Sequence, residues 1–185
     1  MSIDVVAIVG SLRRESFTRR IVNSLVALAP ADLKIEIVSI EGLAHYNPDE
    51  EAHPPAPWVA FRDRVRIAQA VLFATPEYNR SIPGVLKNAI DVGSRPYGRS
   101  VWSKKPAAVL SNSPGALGGF GANHNLRQSL VFLDMPTLQQ PELYLGGADK
   151  MFTPSGEFSN AATKQLLHGF LSTFEMWIRR LSVPS

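Results

Sequence analysis

Three short segments concentrate the hydroxyl, guanidinium, amide and glycine groups that bind small anions and planar ligands. The first, Gly10-Ser11-Leu12-Arg13-Arg14-Glu15-Ser16-Phe17-Thr18, follows an apolar run and opens a helical pattern. Backbone N–H groups and the dipole at a helix start attract an anion. Ser11, Ser16 and Thr18 add hydroxyls, and Arg13 adds a planar fork matched to phosphate oxygens. A plainer reading has Ser16 or Thr18 only capping the helix, with Arg13 facing water. The second segment, Thr75-Pro76-Glu77-Tyr78-Asn79-Arg80-Ser81-Ile82-Pro83, is stiffened by proline near both ends, and Tyr78 offers a flat face beside amide donors. The third, Ser111-Asn112-Ser113-Pro114-Gly115-Ala116-Leu117-Gly118-Gly119, lets backbone approach a planar ligand, because glycine has no Cβ. A rigid connection and a flexible turn are the plainer readings of these two.

Other chemistries lack their residues. Cysteine is absent, which removes disulfide scaffolds, Cys-rich zinc sites and thiolate nucleophiles, the low-molecular-weight tyrosine phosphatases included. His45, His53, His124 and His168 show no metal-ligand spacing, and neither H-E-x-x-H nor G-x-S-x-G occurs. The first segment lacks the Gly-Lys-Ser/Thr end of a P-loop and any G-x-G-x-x-G, which argues against a nucleoside triphosphate or a resident dinucleotide. Asp49-Glu50-Glu51 reads as a solvated run, and Trp177 as core. Nineteen Lys and Arg against sixteen Asp and Glu leave a formal charge of +3, and Arg13, Arg14, Arg19 and Arg20 set against Glu15 account for that excess. So local a cluster suits a small anion rather than the wide basic stripe of a duplex binder, and no nucleic-acid partner is expected. No apolar run approaches the roughly 20 residues of a membrane span. The start, Met1-Ser2-Ile3-Asp4, has no basic leader or cleavage site. A cytoplasmic protein without a membrane partner is expected.

Positioning these segments requires a scaffold, and the remaining pattern supplies one. A chain of 185 residues, 45% apolar and 19% charged, suits one globular domain over residues 1–185. Val5–Val9 is a short apolar run of the kind covered on both faces in a parallel sheet. Residues Thr18 to Ala29 then read as a helix stopped by Pro30, and Leu33–Ile40 as a second strand. Glu41 to Pro57 reads as a long surface loop, of the kind that often carries function. A helix from Trp58 to Gln69 and a strand over Ala70–Ala74 follow. Pro83–Ser94 reads as a helix with proline in its first turn. Pro106–Leu110 is the fourth strand, Asn125–Leu133 a helix, and Leu138–Leu145 an irregular fifth strand interrupted by Pro141. The last helix runs from about Asn160 to Leu181. Five strand–helix alternations predict an α/β fold: a flavodoxin-like three-layer sandwich whose five-stranded parallel sheet has the order 2-1-3-4-5. Ligands of such sheets bind beyond the carboxyl ends of the strands, where the order reverses. The three segments follow strands one, three and four.

The same residues carry a family resemblance. Gly10-Ser11-Leu12-Arg13-x-x-Ser16, then Thr75-Pro76-Glu77-Tyr78-Asn79-x-Ser81-x-Pro83-Gly84-x-Leu86-Lys87-Asn88-Ala89-Ile90-Asp91, resemble the NADPH-dependent FMN reductase family, most of all its bacterial quinone and chromate reductase branch. The likeness continues through Ser113-x-Gly115-x-x-Gly118-Gly119 and Leu126-Arg127-Gln128, and so covers most of the chain in order. It implies bound FMN, with Ser11, Arg13, Ser16 and Thr18 holding the phosphate and Phe17 among them. Pro76, Glu77, Tyr78 and Asn79 would border the isoalloxazine edge and ribityl chain, and Ser113 and Gly115 would lie near the ring's other side. NADPH or NADH would be the donor, and a quinone or similar small molecule (chromate, azo or nitro compounds) the acceptor. The chemistry would sit at flavin N5, so no side chain need be a nucleophile or strong base. Many members have asparagine where this chain has Thr18; threonine keeps a hydroxyl and a backbone N–H, so the phosphate site should survive. The resemblance also implies a homodimer or homotetramer in which a partner subunit completes the pocket. A flavodoxin-like FMN electron carrier that docks with protein partners is the rival expectation, and it would not oxidise NAD(P)H alone.

Overall fold

The three inner strands are apolar on both faces because they are covered on both faces, whereas the edge strand with Lys34 and Glu36 exposed is covered on one. The computed structural model describes residues 2–182. Its elements run β1 (Ile3–Val9), α1 (Phe17–Leu28), β2 (Leu33–Val38), α2 (Ala56–Ile67), β3 (Ala70–Pro76), α3 (Gly84–Gly93), β4 (Ala107–Asn112), α4 (Phe120–Phe132), β5 (Leu143–Leu145) and α5 (Ala161–Leu181). The strands pair in parallel in the order β2-β1-β3-β4-β5, the flavodoxin-like arrangement expected. Along β1, Val5, Ala7 and Val9 face Ile21 and Leu25 of α1 and Phe170 and Phe174 of α5. Val6 and Ile8 face Phe61 of α2, Leu86 of α3 and Leu126 of α4. The period-two alternation therefore builds two cores from one strand. Trp177 packs against the first core and donates its indole N–H to the Pro136 carbonyl.

Several boundaries differ from the sequence reading for local reasons. The fifth strand keeps only Leu143–Leu145, because Pro141 has no N–H for the ladder; upstream, Thr137 makes a single bridge to Ala107. Helix α3 starts at Gly84, with Pro83 as its N-cap rather than inside the first turn. Helix α4 starts five residues before the expected Asn125, since Gly119 takes a left-handed conformation and caps it. Strands β3 and β4 extend to Pro76 and Asn112, into the polar segments themselves. Among the described residues, no helix is long and apolar enough to cross a membrane.

The segment between β2 and α2 is the largest correction. The acidic run is not simply solvated: Glu51 forms an ion pair at 2.6 Å with Arg62, both side chains mostly buried. Arg62 Nε also donates to the Val92 carbonyl at 2.8 Å. Asn88 of α3 donates to the Leu43 and Ala44 carbonyls and accepts from the Tyr46 N–H. Tyr46 stacks on Trp58, whose indole N–H reaches the Ala44 carbonyl. What reads as a loop is a strap, tied to α2 and α3 by buried polar groups.

Candidate functional site

The carboxyl ends of β1, β3 and β4 open into a cleft of about 90 Å³. A wider groove of about 450 Å³ lies beside the C-terminal half of α1, but its lining, with Leu28, Phe158 and Lys164, gathers no converging donors. Chemistry rather than size selects the cleft at the strand ends.

Its first wall is the segment between β1 and α1. Ser11 and Ser16 are buried there, and Ser16 caps α1 by accepting the Arg19 N–H at 3.2 Å. The plain capping role is thus real for Ser16, and its own proton remains to donate. From Ser11 to Thr18, the backbone N–H groups have no acceptor among the described residues apart from Ser16, whose N–H closes the turn through Arg14 and Glu15. No acidic residue occupies the first turn of α1. Arg13 is exposed, with its guanidinium 5.6 Å from the centre of the Phe17 ring. This wall offers donors and positive potential to an acceptor-rich ligand. Thr18 lines the cleft, but its hydroxyl donates at 2.7 Å to Asn112 Oδ1 at the end of β4. That proton is therefore not available to a ligand, which corrects the expected hydroxyl role of Thr18.

The second wall follows β3. Tyr78 and Ser81 exchange two backbone hydrogen bonds of 3.0 Å across Asn79 and Arg80, both with positive φ (51° and 64°). This is a tight two-residue turn of primed type. It brings Pro76, Glu77 and Tyr78 to the cleft and lifts Asn79 away from it. Glu77 does not face solvent. Its carboxylate accepts the Ala122 N–H at 3.0 Å in the first turn of α4 and lies 3.3 Å from Arg80. A carboxylate there caps the helix from outside and suits its dipole. Gly121 makes this contact possible, because a Cβ would lie 2.9 Å from the Arg80 carbonyl oxygen and 3.0 Å from Glu77 Oε2.

The third wall follows β4. Ser113 and Pro114 line the cleft, whereas Gly115 stands off it and donates its N–H to Ser113 Oγ at 3.1 Å. The expectation that these glycines make room for a ligand is corrected at Gly118. Its φ is +57°, and a Cβ there would sit 2.6 Å from the Leu145 nitrogen, so it makes room for β5. Of the residues named from sequence, Ser11, Arg13, Ser16, Phe17, Thr18, Pro76, Glu77, Tyr78 and Ser113 meet in one cleft; Asn79 and Gly115 do not. Asn112 was missed. A polar pair, Ser111-Asn112, closing an apolar run was the available signal.

Known proteins are similar to this chain along most of its length. The NADPH-dependent FMN reductase family matches residues 3–150. The chain is 58% identical over 176 residues to a quinone reductase of Pseudomonas putida, covering 95% of this chain and 94% of that one. It is 38% identical over 179 residues to a 2-hydroxy-1,4-benzoquinone reductase of a Burkholderia species, covering 97% and 98%. Among solved structures it is similar to FerB, a flavoenzyme NAD(P)H:(acceptor) oxidoreductase from Paracoccus denitrificans, with TM-score 0.91 and 37% identity over 98% of this chain and 100% of that one.

Proposed function

This chain belongs to the NADPH-dependent FMN reductase family, and on that premise we propose an enzyme that oxidises NADPH or NADH and delivers the electron pair to a quinone or similar small acceptor. The carrying observation is the set of unsatisfied N–H groups between Ser11 and Thr18, all but that of Ser16, beside Arg13, a cradle whose donor chemistry fits a phosphate. Ser11, Arg13 and Ser16, with the backbone N–H groups of Phe17 and Thr18, would hold that end of FMN. Pro76, Glu77 and Tyr78 would border its ring edge and ribityl chain, with Ser113 near the ring's other side, while Asn79 and Gly115 stand outside the cleft. Bound FMN supplies hydride acceptance and release. The chain's own part is to bind and orient: Glu77 fixes the turn that presents Tyr78, and the N–H groups hold negative charge. The test is to denature the purified protein, identify the released chromophore, and assay NAD(P)H oxidation with a quinone, then with chromate, azo and nitro acceptors. One FMN per chain and turnover without a second protein are expected. Recovery of FAD, or no flavin after reconstitution, would overturn the assignment.

Residues 1–185 would act as a single FMN-binding domain, in the cytoplasm where NAD(P)H is supplied, and as a homodimer or homotetramer. The exposed Val131, Phe132 and Tyr97 side chains support an oligomer, because large apolar groups left in water favour association. Light scattering of the flavin-loaded protein should give a mass of two or four chains.

A further inference from the structure

Asn112 ends β4 opposite Pro76 of β3 and is 2% exposed. Its Oδ1 accepts the buried Thr18 hydroxyl at 2.7 Å. Its Nδ2, with two protons to give, has no acceptor among the described residues. No side-chain nitrogen or oxygen among those residues is both enclosed and unpartnered, so Nδ2 must meet open space. The open space that Asn112 lines is the cleft. Thr18 is the second residue of α1 after the Ser16 cap, so its hydroxyl holds the carboxamide beside the unsatisfied N–H groups of the first helical turn.

We infer that Asn112 Nδ2 is a hydrogen-bond donor to the phosphate of FMN, and that Thr18 acts as its positioning residue rather than as a hydroxyl ligand. This rests on the proposed FMN site and goes beyond it, since it moves a ligand contact from α1 to the end of β4. It also accounts for threonine at position 18, where the family resemblance leads one to expect asparagine. The carboxamide is supplied from the facing strand, and the hydroxyl left on the helix orients it. Accepting the Thr18 bond at Oδ1 polarises the amide and turns both N–H bonds of Nδ2 away from Thr18. The Ser11 and Ser16 hydroxyls, the Arg13 guanidinium and the free N–H groups on the α1 side can all donate, so a further donor suits an anion there.

The test uses the flavin-free protein, titrated with FMN and with riboflavin, which lacks the phosphate. Wild-type protein that fails to bind FMN would sink the site itself, separately from this inference. Given binding, Asn112→Ala should raise the FMN dissociation constant by about 10- to 100-fold, as for loss of a bond to a charged group, and leave riboflavin within about twofold. Asn112→Asp should be weaker still for FMN, because a carboxylate would then face the anion. The exchange Thr18→Asn with Asn112→Thr restores a carboxamide and a hydroxyl from opposite sides and should recover most of the affinity. It decides the matter if Asn112→Ala does not fold. Unchanged FMN affinity in Asn112→Ala, equal losses for FMN and riboflavin, or no recovery in the exchange would overturn the assignment and leave Asn112 as a tie between β4 and α1.

Discussion

Arg13 and Arg14 are adjacent and equally charged, yet only Arg13 lines the cleft. Arg13→Ala should weaken FMN binding by about 1.5–3 kcal/mol, the range for a charge-assisted hydrogen bond, and Arg14→Ala by much less. Titration of both flavin-free variants checks this, and equal small losses would mean that Arg13 projects into solvent. Tyr144 offers a test of the other kind, through pH. Burial first, and then the Glu142 carboxylate, push its phenol up to about 12, against an opposing effect of Arg127. The His124 ring nitrogen lies 2.9 Å from its oxygen. The unfolded phenol ionises first, at about 10, so the stability tied to the neutral form is whole below that pH. It is lost as pH rises through about 12. Ultraviolet titration should therefore show a late tyrosine ionisation, and Tyr144→Phe should abolish that step. A late step that persists in Tyr144→Phe, or no late step in the wild type, would contradict it.

Between residues and the whole fold stand the elements, and the strap before α2 is the one whose stability can be tested by itself. Glu51 neutralises an Arg62 that has no other carboxylate within reach among the described residues. Glu51→Ala leaves a buried cation unpaired and should cost about 3 kcal/mol in urea unfolding, while the exposed Asp49→Ala should stay within about 0.5 kcal/mol. Comparable losses would show that the pair is solvent-screened. This strap was not legible in the sequence, because its order depends on Asn88 and Arg62, polar residues buried far along the chain. The inner strands were legible because burial on both faces demands continuous apolar runs, and the edge strand with Lys34 and Glu36 because its apolar residues alternate. The start of α4 was hidden for the opposite reason: Phe120 is exposed and Asn123 fully buried, inverting the amphipathic signal. Asn123 spans to Ser111 and the Leu143 carbonyl and holds Arg127. At the site, motif residues next to strand ends could be read, whereas the Thr18–Asn112 bond, 94 residues apart in sequence, could not.

At the scale of the molecule, the parallel sheet sends three segments from β1, β3 and β4 to one place, and this has a kinetic consequence. Their convergence forms the cleft at the strand ends, with Tyr78 half exposed at its rim. The turn bearing Tyr78 is not a swinging lid. The Glu77 carboxylate ties it to α4, and Gly121 packs against the Arg80 carbonyl, so opening it would strip the first turn of α4 of a partner. A nicotinamide donor and a quinone acceptor that both work from this rim must then use it in turn. With NADPH and a soluble benzoquinone as substrates, double-reciprocal plots should give parallel lines, the pattern of a first product leaving before the second substrate enters. Intersecting lines would mean that both substrates are bound at once, and would overturn the shared cleft while leaving the reductase assignment standing. Flavin-loaded protein that oxidises neither NADPH nor NADH alone, yet passes electrons once a separate reductase is added, would overturn the assignment itself, because one chain would then be a carrier built on the reductase scaffold.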